Sequence, residues 1–461
     1  MRPERHRVVV LSALVLLLSG CIFWPPYGFP TGDETIVVEN RSDADLVLRL
    51  TGADLFPMAF AISASTTGEI AVFLVEPPIT VDLLDTECNE ISSITLDDAA
   101  SYLAIEPDGS IVLAPDEPAP ASERQFVEFI ECDAFGMEPE LEDHGMAGIT
   151  GQLIVSGGPN GDLWAVSLPD GPLEQLTDGD AWDGPGSVAP DGTVAFTRMD
   201  ATDFTGAVWT IGSAETDARR LRDEAMNPAW SPDGSRIGFI DGDPFGGGLV
   251  VLDPTSGAET AVTNDLVLGF SWAPAGDRLA FVVPEAGADP MSMGLDGRVY
   301  VASPGDLPTV LARLPAVGPL AWSPDGSMIA VEGFDGFAST ITVVDATSGS
   351  EVFAVDAGSS YVTGAAWSPT GDRLLYVRTD ATSFEQPAQL MSVPADGGEP
   401  EEVADLGDLS TSSPVAWSSS GDLVAVAGMS MSGGGSVWIV NVDTGEAARV
   451  MTGADGLLGW R

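Results

Sequence analysis

The stretch Ala229-Trp230-Ser231-Pro232-Asp233-Gly234-Ser235-Arg236-Ile237-Gly238-Phe239 recurs as Ser271-Trp272-Ala273-Pro274-Ala275-Gly276-Asp277-Arg278-Leu279-Ala280-Phe281 and as Ala321-Trp322-Ser323-Pro324-Asp325-Gly326-Ser327-Met328-Ile329-Ala330-Val331. Two later copies begin at Ala366-Trp367-Ser368-Pro369 and Ala416-Trp417-Ser418-Ser419, and a worn one is Ser187-Val188-Ala189-Pro190-Asp191-Gly192. With the Trp position as marker, the copies stand at 188, 230, 272, 322, 367 and 417, and Trp460 is a further marker 43 residues on. The other intervals are 42, 42, 50, 45 and 50. A period of about 40–50 residues holds four short strands and their turns, the unit of a β-propeller blade.

Each unit has a legible local physics. An apolar strand carrying Trp runs into a Pro-Asp-Gly turn, where Pro fixes φ and Gly accepts a positive φ, and a second apolar strand returns beside it. A third strand follows, as in Gly248-Leu249-Val250-Val251-Leu252-Asp253 and Thr340-Ile341-Thr342-Val343-Val344-Asp345, then a turn such as Asp253-Pro254-Thr255-Ser256-Gly257 and a polar outer strand. Six markers start complete units. Residues 149–155, 162–166 and 172–176 supply three strands without a marked first one, while 457–460 is a marked first strand without followers. Joined, they make a seventh blade that leaves no sheet edge open, so the expectation is seven blades, with six or eight as alternatives.

The chain has 461 residues, with 70 Asp and Glu against 18 basic residues, all Arg, and a formal net charge of -52. Such a surface repels phosphate backbones and argues against nucleic-acid binding. Hydrophobic residues make up 44%, enough for a core, and 53 Gly with 34 Pro favour turns and strands over long helices. Histidine is limited to His6 and His144, which starves imidazole catalysis and His-rich metal sites.

Residues 1–20 have the layout of a signal peptide: Arg2, Arg5 and Arg7 precede an apolar run from Val8 to Leu18, too short to span a bilayer comfortably. The ending Leu18-Ser19-Gly20-Cys21 resembles the bacterial lipobox. That resemblance implies a diacylglyceryl group on the Cys21 thiol and Cys21 as the mature N-terminus; the alternative is an ordinary secretory signal with an incidental Cys. An acyl anchor tethers a protein without spanning the membrane. Removing residues 1–20 takes three Arg and one Glu, leaving 15 Arg against 69 acidic residues, a net charge of -54. Residues 21–32 read as a Pro-rich tether.

From residue 33 to 140 short β-branched and apolar bursts, among them 35–40, 45–50, 79–84 and 102–105, predict a small β-sandwich-like domain. Pro107-Asp108-Gly109 is a hairpin turn. Cys88 and Cys132, in an exported compartment, are expected to form a disulfide, with two free buried thiols as the alternative. The acidic stretch 137–144 reads as a solvated linker.

The propeller repeats resemble the WD-like repeats of TolB-type propellers, whose blades carry the same Trp-Ser-Pro-Asp-Gly core followed by an apolar strand. The resemblance covers about residues 147–461 and implies the fold and a partner role in the cell envelope. The lipobox and the N-terminal module depart from those proteins.

Chemistry is sparse. Trp230, Trp272, Trp322, Trp367, Trp417 and Trp460, one per unit at one position, read as packing between neighbouring sheets rather than as an aromatic ligand platform. Asp191, Asp233 and Asp325 read as turn caps rather than metal ligands. Asp178, Asp180 and Asp183 within Asp178-Gly179-Asp180-Ala181-Trp182-Asp183-Gly184 offer oxygen chemistry for Ca²⁺, against the plainer reading of an acidic inter-blade loop. Gly428-Met429-Ser430-Met431-Ser432-Gly433 misses the nucleophile-elbow spacing, and a serine triad would need His144. The expected function is that of a membrane-anchored extracytoplasmic lipoprotein, at the cell surface or in the periplasm, with the propeller as a non-catalytic scaffold for a protein, peptide or envelope polymer. The rivals are a carboxylate- or Ca²⁺-dependent hydrolase or lyase with its site in the propeller funnel, and a structural envelope module.

Overall fold

A computed structural model describes residues 35–461 apart from 43, 45, 53–54, 63, 66, 72–78, 85–89, 97–101, 114–124, 127, 131–138, 143–144, 147, 159, 180, 201–204, 213–217, 244–245, 286–295, 316–317, 335–338, 359, 381–387, 408, 410–414 and 430–434. Cys21, Cys88, Cys132, His144 and Asp180 therefore lie outside the described residues. The chain is all-β, without a helix among the described residues, and divides into two compact units at Met137 and Glu138.

The N-terminal unit stacks two five-stranded sheets. One runs in the order Ile111–Leu113, Tyr102–Ile105, Thr35–Asn40, Thr67–Ala71, Gln125–Phe126; the other runs Glu128–Ile130, Leu55–Ile62, Leu46–Gly52, Ile79–Leu84, Glu90–Leu96. Ile36 and Val38 from the first sheet and Leu48, Leu50, Val81 and Leu83 from the second share one buried cluster. Their spacing of two along each strand puts each pair on one face of its sheet, the sandwich's inner side. The first sheet is mixed, since Thr35–Asn40 pairs antiparallel with Thr67–Ala71 and parallel with Tyr102–Ile105.

The second unit contains seven sheets among the described residues. Blade 1 is Trp182–Val188, Val194–Met199, Gly206–Ile211 and Arg219–Asp223; blade 2 is Ala225–Trp230, Ile237–Asp243, Gly246–Asp253 and Ala258–Val267. Blade 3 is Gly269–Trp272, Leu279–Pro284, Gly297–Ala302 and Thr309–Leu314; blade 4 is Leu320–Trp322, Met328–Phe334, Ser339–Asp345 and Glu351–Asp356. Blade 5 is Ser360–Trp367, Arg373–Asp380, Gln389–Pro394 and Glu401–Asp405; blade 6 is Ala416–Trp417, Leu423–Met429, Gly435–Asn441 and Ala447–Thr452. Blade 7 is composite: Ala454–Trp460 from the C-terminal end pairs antiparallel with Gly151–Gly157, followed outward by Asp162–Leu168 and Leu173–Gln175. Part of the acidic linker is itself sheet, because Glu140–Leu141 adds a fifth strand to blade 6 and Glu142 accepts both Arg449 Nε and Nη2 at 2.9 Å.

The turn between first and second strands carries the repeat's sequence signature for a physical reason. In blade 2, Gly234 N donates to Ser231 O at 2.8 Å and Gly234 sits at φ +70°, the left-handed region that glycine enters without strain. Asp233 Oδ1 accepts Ser231 Oγ at 2.6 Å, Ser235 Oγ at 2.9 Å and Ser235 N at 3.1 Å. Asp325 does the same with Ser323 and Ser327 in blade 4. In blade 5 Thr370 stands at that position, and Asp372, two residues later, accepts Ser368 Oγ at 2.6 Å and Thr370 Oγ1 at 2.7 Å. The turn thus needs one carboxylate and tolerates two positions for it. These donors pull Asp233 down to about 2 and lower Asp325 and Asp372.

Neighbouring blades are joined by seven apolar clusters, one per junction, including one between blades 6 and 7 and one between blades 7 and 1. The marker Trp of each blade packs on the blade before it: Trp272 on Ile240, Leu249 and Val251, Trp322 on Ala280 and Val282, Trp367 on Ile341 and Val343. Three of these indoles also donate across the junction to the residue preceding the neighbour's marker: Trp272 Nε1 to Ala229 O at 3.0 Å, Trp322 Nε1 to Ser271 O at 3.2 Å and Trp367 Nε1 to Ala321 O at 3.1 Å. Arg236 and Arg278 cover the outer faces of Trp272 and Trp322, with guanidinium carbons 5.4 and 5.0 Å from the ring centres. Trp230 Nε1 and Trp417 Nε1 are buried without a partner. Replacing Trp322 by Phe should therefore cost about 1 kcal/mol more than replacing Trp417 by Phe, read as the difference in denaturation midpoints. Equal losses would mean that the bond to Ser271 contributes nothing.

Candidate functional site

The two ends of the ring differ. At one end each blade passes from first to second strand through the short Gly turn. At the other the first strands begin beside the ends of the second strands, as Trp182 beside Met199 and Ala225 beside Asp241. The segments joining second to third strands at that end vary in length from residues 244–245 in blade 2 to 285–296 in blade 3. First strands of neighbouring blades touch one another around most of the ring, so they lie at its axis.

Charged residues break the repeat register at this end. Ten residues after the marker stand Ile240, Val282, Val377 and Ala427, but Glu332 in blade 4; Arg198 of blade 1, whose turn is one residue shorter, shares its register position with Asp241 and Arg378. Five residues before it stand Ala225, Val267, Val317, Val362 and Ser412, but Asp183 in blade 1 and Asp455 in blade 7. Reading the sequence for sites missed Arg198, Glu332 and Asp455. Aligning the repeats to one another and asking where an apolar column turns ionic would have found Glu332 and Asp455.

Asp183 is fully buried, and its oxygens accept Arg198 Nε at 2.7 Å and Nη2 at 2.6 Å. The guanidinium lies over Trp209, 4.9 Å from its ring centre. The Trp182 ring fills the space above Gly184, where a Cβ would stand 1.9 Å from it. Asp162, on the neighbouring blade 7, accepts Gln175 Nε2 at 3.0 Å; burial first, then the charge of Asp183, raises its carboxyl. The expected Ca²⁺ loop is therefore different in kind. Asp183 spends both oxygens on Arg198, Asp178 is exposed, and Asp180 lies outside the described residues. Among the described residues no group of three or more His, Cys, Asp or Glu is placed to hold a metal ion.

Glu332 clasps two blades: its Oε1 accepts Ala365 N, on the first strand of blade 5, at 2.8 Å. The residue keeps some accessible surface, but its carboxyl group is densely surrounded, and burial pushes it up to about 7 against the backbone donors that favour its charge. Burial likewise pushes Asp455 up to about 6. Glu332 and Asp455 lie on blades 4 and 7, with two blades between them on the shorter path, so they do not form an adjacent pair. Elsewhere at this end Arg222 of blade 1 meets Asp241 at 2.8 Å and Glu259 at 3.1 Å on blade 2, and Arg298 holds Glu285 at 2.7 Å.

No protein-family model matches the chain, and no curated protein matches it in sequence. Solved structures do resemble it. An oligogalacturonate lyase in complex with manganese is 14% identical with a TM-score of 0.49, over 66% of this chain and 86% of that one. An oligogalacturonate lyase from Vibrio parahaemolyticus is 13% identical with a TM-score of 0.49, over 65% and 85%. TolB from Acinetobacter baumannii is 13% identical with a TM-score of 0.43, over 67% and 65%.

Asp183→Ala should cost about 3–5 kcal/mol because it leaves Arg198 charged, part-buried and unpaired, whereas the double change Asp183→Leu with Arg198→Met should recover much of the loss; urea denaturation of the three proteins checks this. Stability should also peak in mildly acidic solution. Asp233 has a lowered folded-state pKa, so its contribution is present above about 3.8 and fades as pH falls toward about 2. Glu332 has a raised one, so its contribution is present below about 4.5 and is lost as pH rises through about 7. Glu332→Gln should flatten the alkaline limb of a melting-temperature profile and leave the acid limb unchanged.

Proposed function

We propose that the protein is a lipid-anchored extracytoplasmic scaffold, at the cell surface or in the periplasm, whose propeller binds a protein, peptide or envelope polymer without transforming it. Residues 1–20 serve as the export signal, Cys21 carries the lipid, 21–32 form the tether, 33–140 a β-sandwich-like module with a Cys88–Cys132 bridge, and 147–461 the propeller. What supports the binding role is the pair of ionisable groups Glu332, on the second strand of blade 4, and Asp455, on the first strand of blade 7, at the end of the ring where the connecting segments vary most. In a mature chain of net charge -54, the complementary partner is cationic, drawn in by long-range attraction and fixed by the loops.

A hydrolase or lyase remains the rival because Glu332 and Asp455, held near neutral pKa, have the protonation range of acid–base groups. The two readings separate in one experiment. The full chain should bind an oligo-arginine peptide with an affinity that falls steadily with salt, and Glu332→Gln with Asp455→Asn should weaken it several-fold without changing the peptide. Unchanged affinity in that double variant would place binding elsewhere, and cleavage of an added polymer, lost in Glu332→Gln, would favour the enzyme. For the anchor, Cys21→Ser should shift the protein from the detergent phase to the aqueous phase on phase separation and remove the mass of a diacylglyceryl group. An aqueous wild-type protein would contradict the anchor.

A further inference from the structure

The outer strand of blade 1 is unlike the other outer strands of the ring. Arg219, Arg220 and Arg222 stand within its five residues, three of the 18 Arg in a chain with 70 Asp and Glu. No strand pairs with its outward edge among the described residues, so backbone donors and acceptors are left there for another chain. Arg222 is taken on the neighbouring blade by Asp241 and Glu259. Arg219 is exposed, and the carboxylate that Arg220 meets among the described residues is Asp223, three residues on in the same strand, with both side chains more than half exposed.

Blade 6 shows what such an edge accepts. There the outer strand Ala447–Thr452 is itself covered by Glu140–Leu141: Glu142 N donates to Val450 O at 2.9 Å, and the Glu142 carboxylate accepts Arg449 Nε and Nη2 at 2.9 Å. Arg220 holds the register of Arg449. Each pairs with a tryptophan on the third strand, Trp209 for Arg220 and Trp438 for Arg449, and a bulge follows at once in both ladders, which places Leu221 where blade 6 has Val450. Blades 2, 3 and 5 share that bulge but carry Ala261, Val310 and Glu402 in the position. Charge on an edge also discourages stray pairing, yet blades 4 and 5 do that with Glu351, Glu401 and Glu402. The charge on the blade 1 edge is the sign that admits an acidic strand.

We propose that the outer strand of blade 1 takes an extended acidic segment of a partner protein as a fifth strand, one of its carboxylates displacing Asp223 from Arg220 as Glu142 occupies Arg449. Main-chain bonds to the edge supply affinity, and the Arg220 pair sets charge and register. Asp223 stands where blade 6 has Thr452 opposite Glu140, so the partner residue opposite Asp223 is uncharged, because a second carboxylate there is repelled. This surface is independent of the axis and of the cationic partner proposed for it.

The probes are two capped, fluorescently labelled peptides, Thr-Val-Glu-Val-Glu-Thr and its counterpart with Gln for both Glu, titrated with the full chain and read by anisotropy. Salt near physiological strength confines the repulsion from the acidic surface to about 8 Å. The Glu peptide should bind saturably and about 5-fold more tightly than the Gln peptide. Arg220→Gln should weaken the Glu peptide about 3- to 5-fold and leave the Gln peptide unchanged. Arg313→Gln, which removes the same charge from the outer strand of blade 3, should change neither. Hydrogen exchange should show new protection at Leu221 and Arg222. The proposal is overturned by absence of saturable binding, by equal affinity for the two peptides, by an Arg220→Gln variant that binds as the wild type does, or by equal losses in Arg220→Gln and Arg313→Gln. Self-association of the full chain that Arg220→Glu abolishes would make a second copy the occupant and contradict a separate partner.

Discussion

The contact on which the propeller depends is the marker tryptophan laid against the preceding blade. One large ring in six of the seven blades, with Val188 in its place in blade 1, supplies apolar area at each junction, and where an indole N–H reaches the carbonyl beside the previous marker it fixes the register as well. A four-stranded sheet alone has two faces to cover and cannot cover either by itself, so stability is shared along the ring rather than held in any one blade. Closure then matters most, because an open ring would expose one face of each terminal sheet. The Ala454–Trp460 strand removes both exposures by completing the blade that starts at Gly151.

Electrostatics sets the second constraint. Without lysine and with so few arginines, the chain places several of its described cations where they have structural consequence. Arg236 and Arg278 cover tryptophans, Arg222 links blades 1 and 2, Arg449 secures Glu142 beside the added strand, and Arg198 neutralises a buried Asp183. Asp233, Asp325 and Asp372 are turn caps with lowered pKa. Against that background Glu332 and Asp455 carry information, since burial of their carboxyl groups raises both toward neutrality.

Much of the fold was legible because the repeat writes itself several times. Trp230, Pro232, Asp233 and Gly234 each have a local physical reason, and agreement between copies averages out noise at single positions. The composite blade was readable from two incomplete ends. The small sandwich was less so: Glu90–Leu96 and Leu55–Ile62 went unrecognised as strands, the first because Ser92, Ser93 and Thr95 dilute its apolar face and Ile91 stays 44% exposed. At the candidate site, the acidic cluster at Asp178–Asp183 was visible but its chemistry was not. Nothing local announces that Arg198, 15 residues on, takes both oxygens of Asp183. Glu332 matters through Ala365 on the adjacent blade, and only the assembled ring shows that contact.

The central functional claim is that the acidic end of the axis, and not the Gly-turn end, receives a cationic partner. Hydrogen exchange of the full chain with and without bound oligo-arginine peptide tests this most directly, because both ends are reported in one experiment. New protection at the starts of the first strands, around Asp183 to Gly186, Gly364 to Ala365 and Asp455 to Leu457, is the predicted result. Protection confined to the turns at Ser231 to Gly234 and Ser323 to Gly326, or spread evenly over the acidic surface, would contradict it.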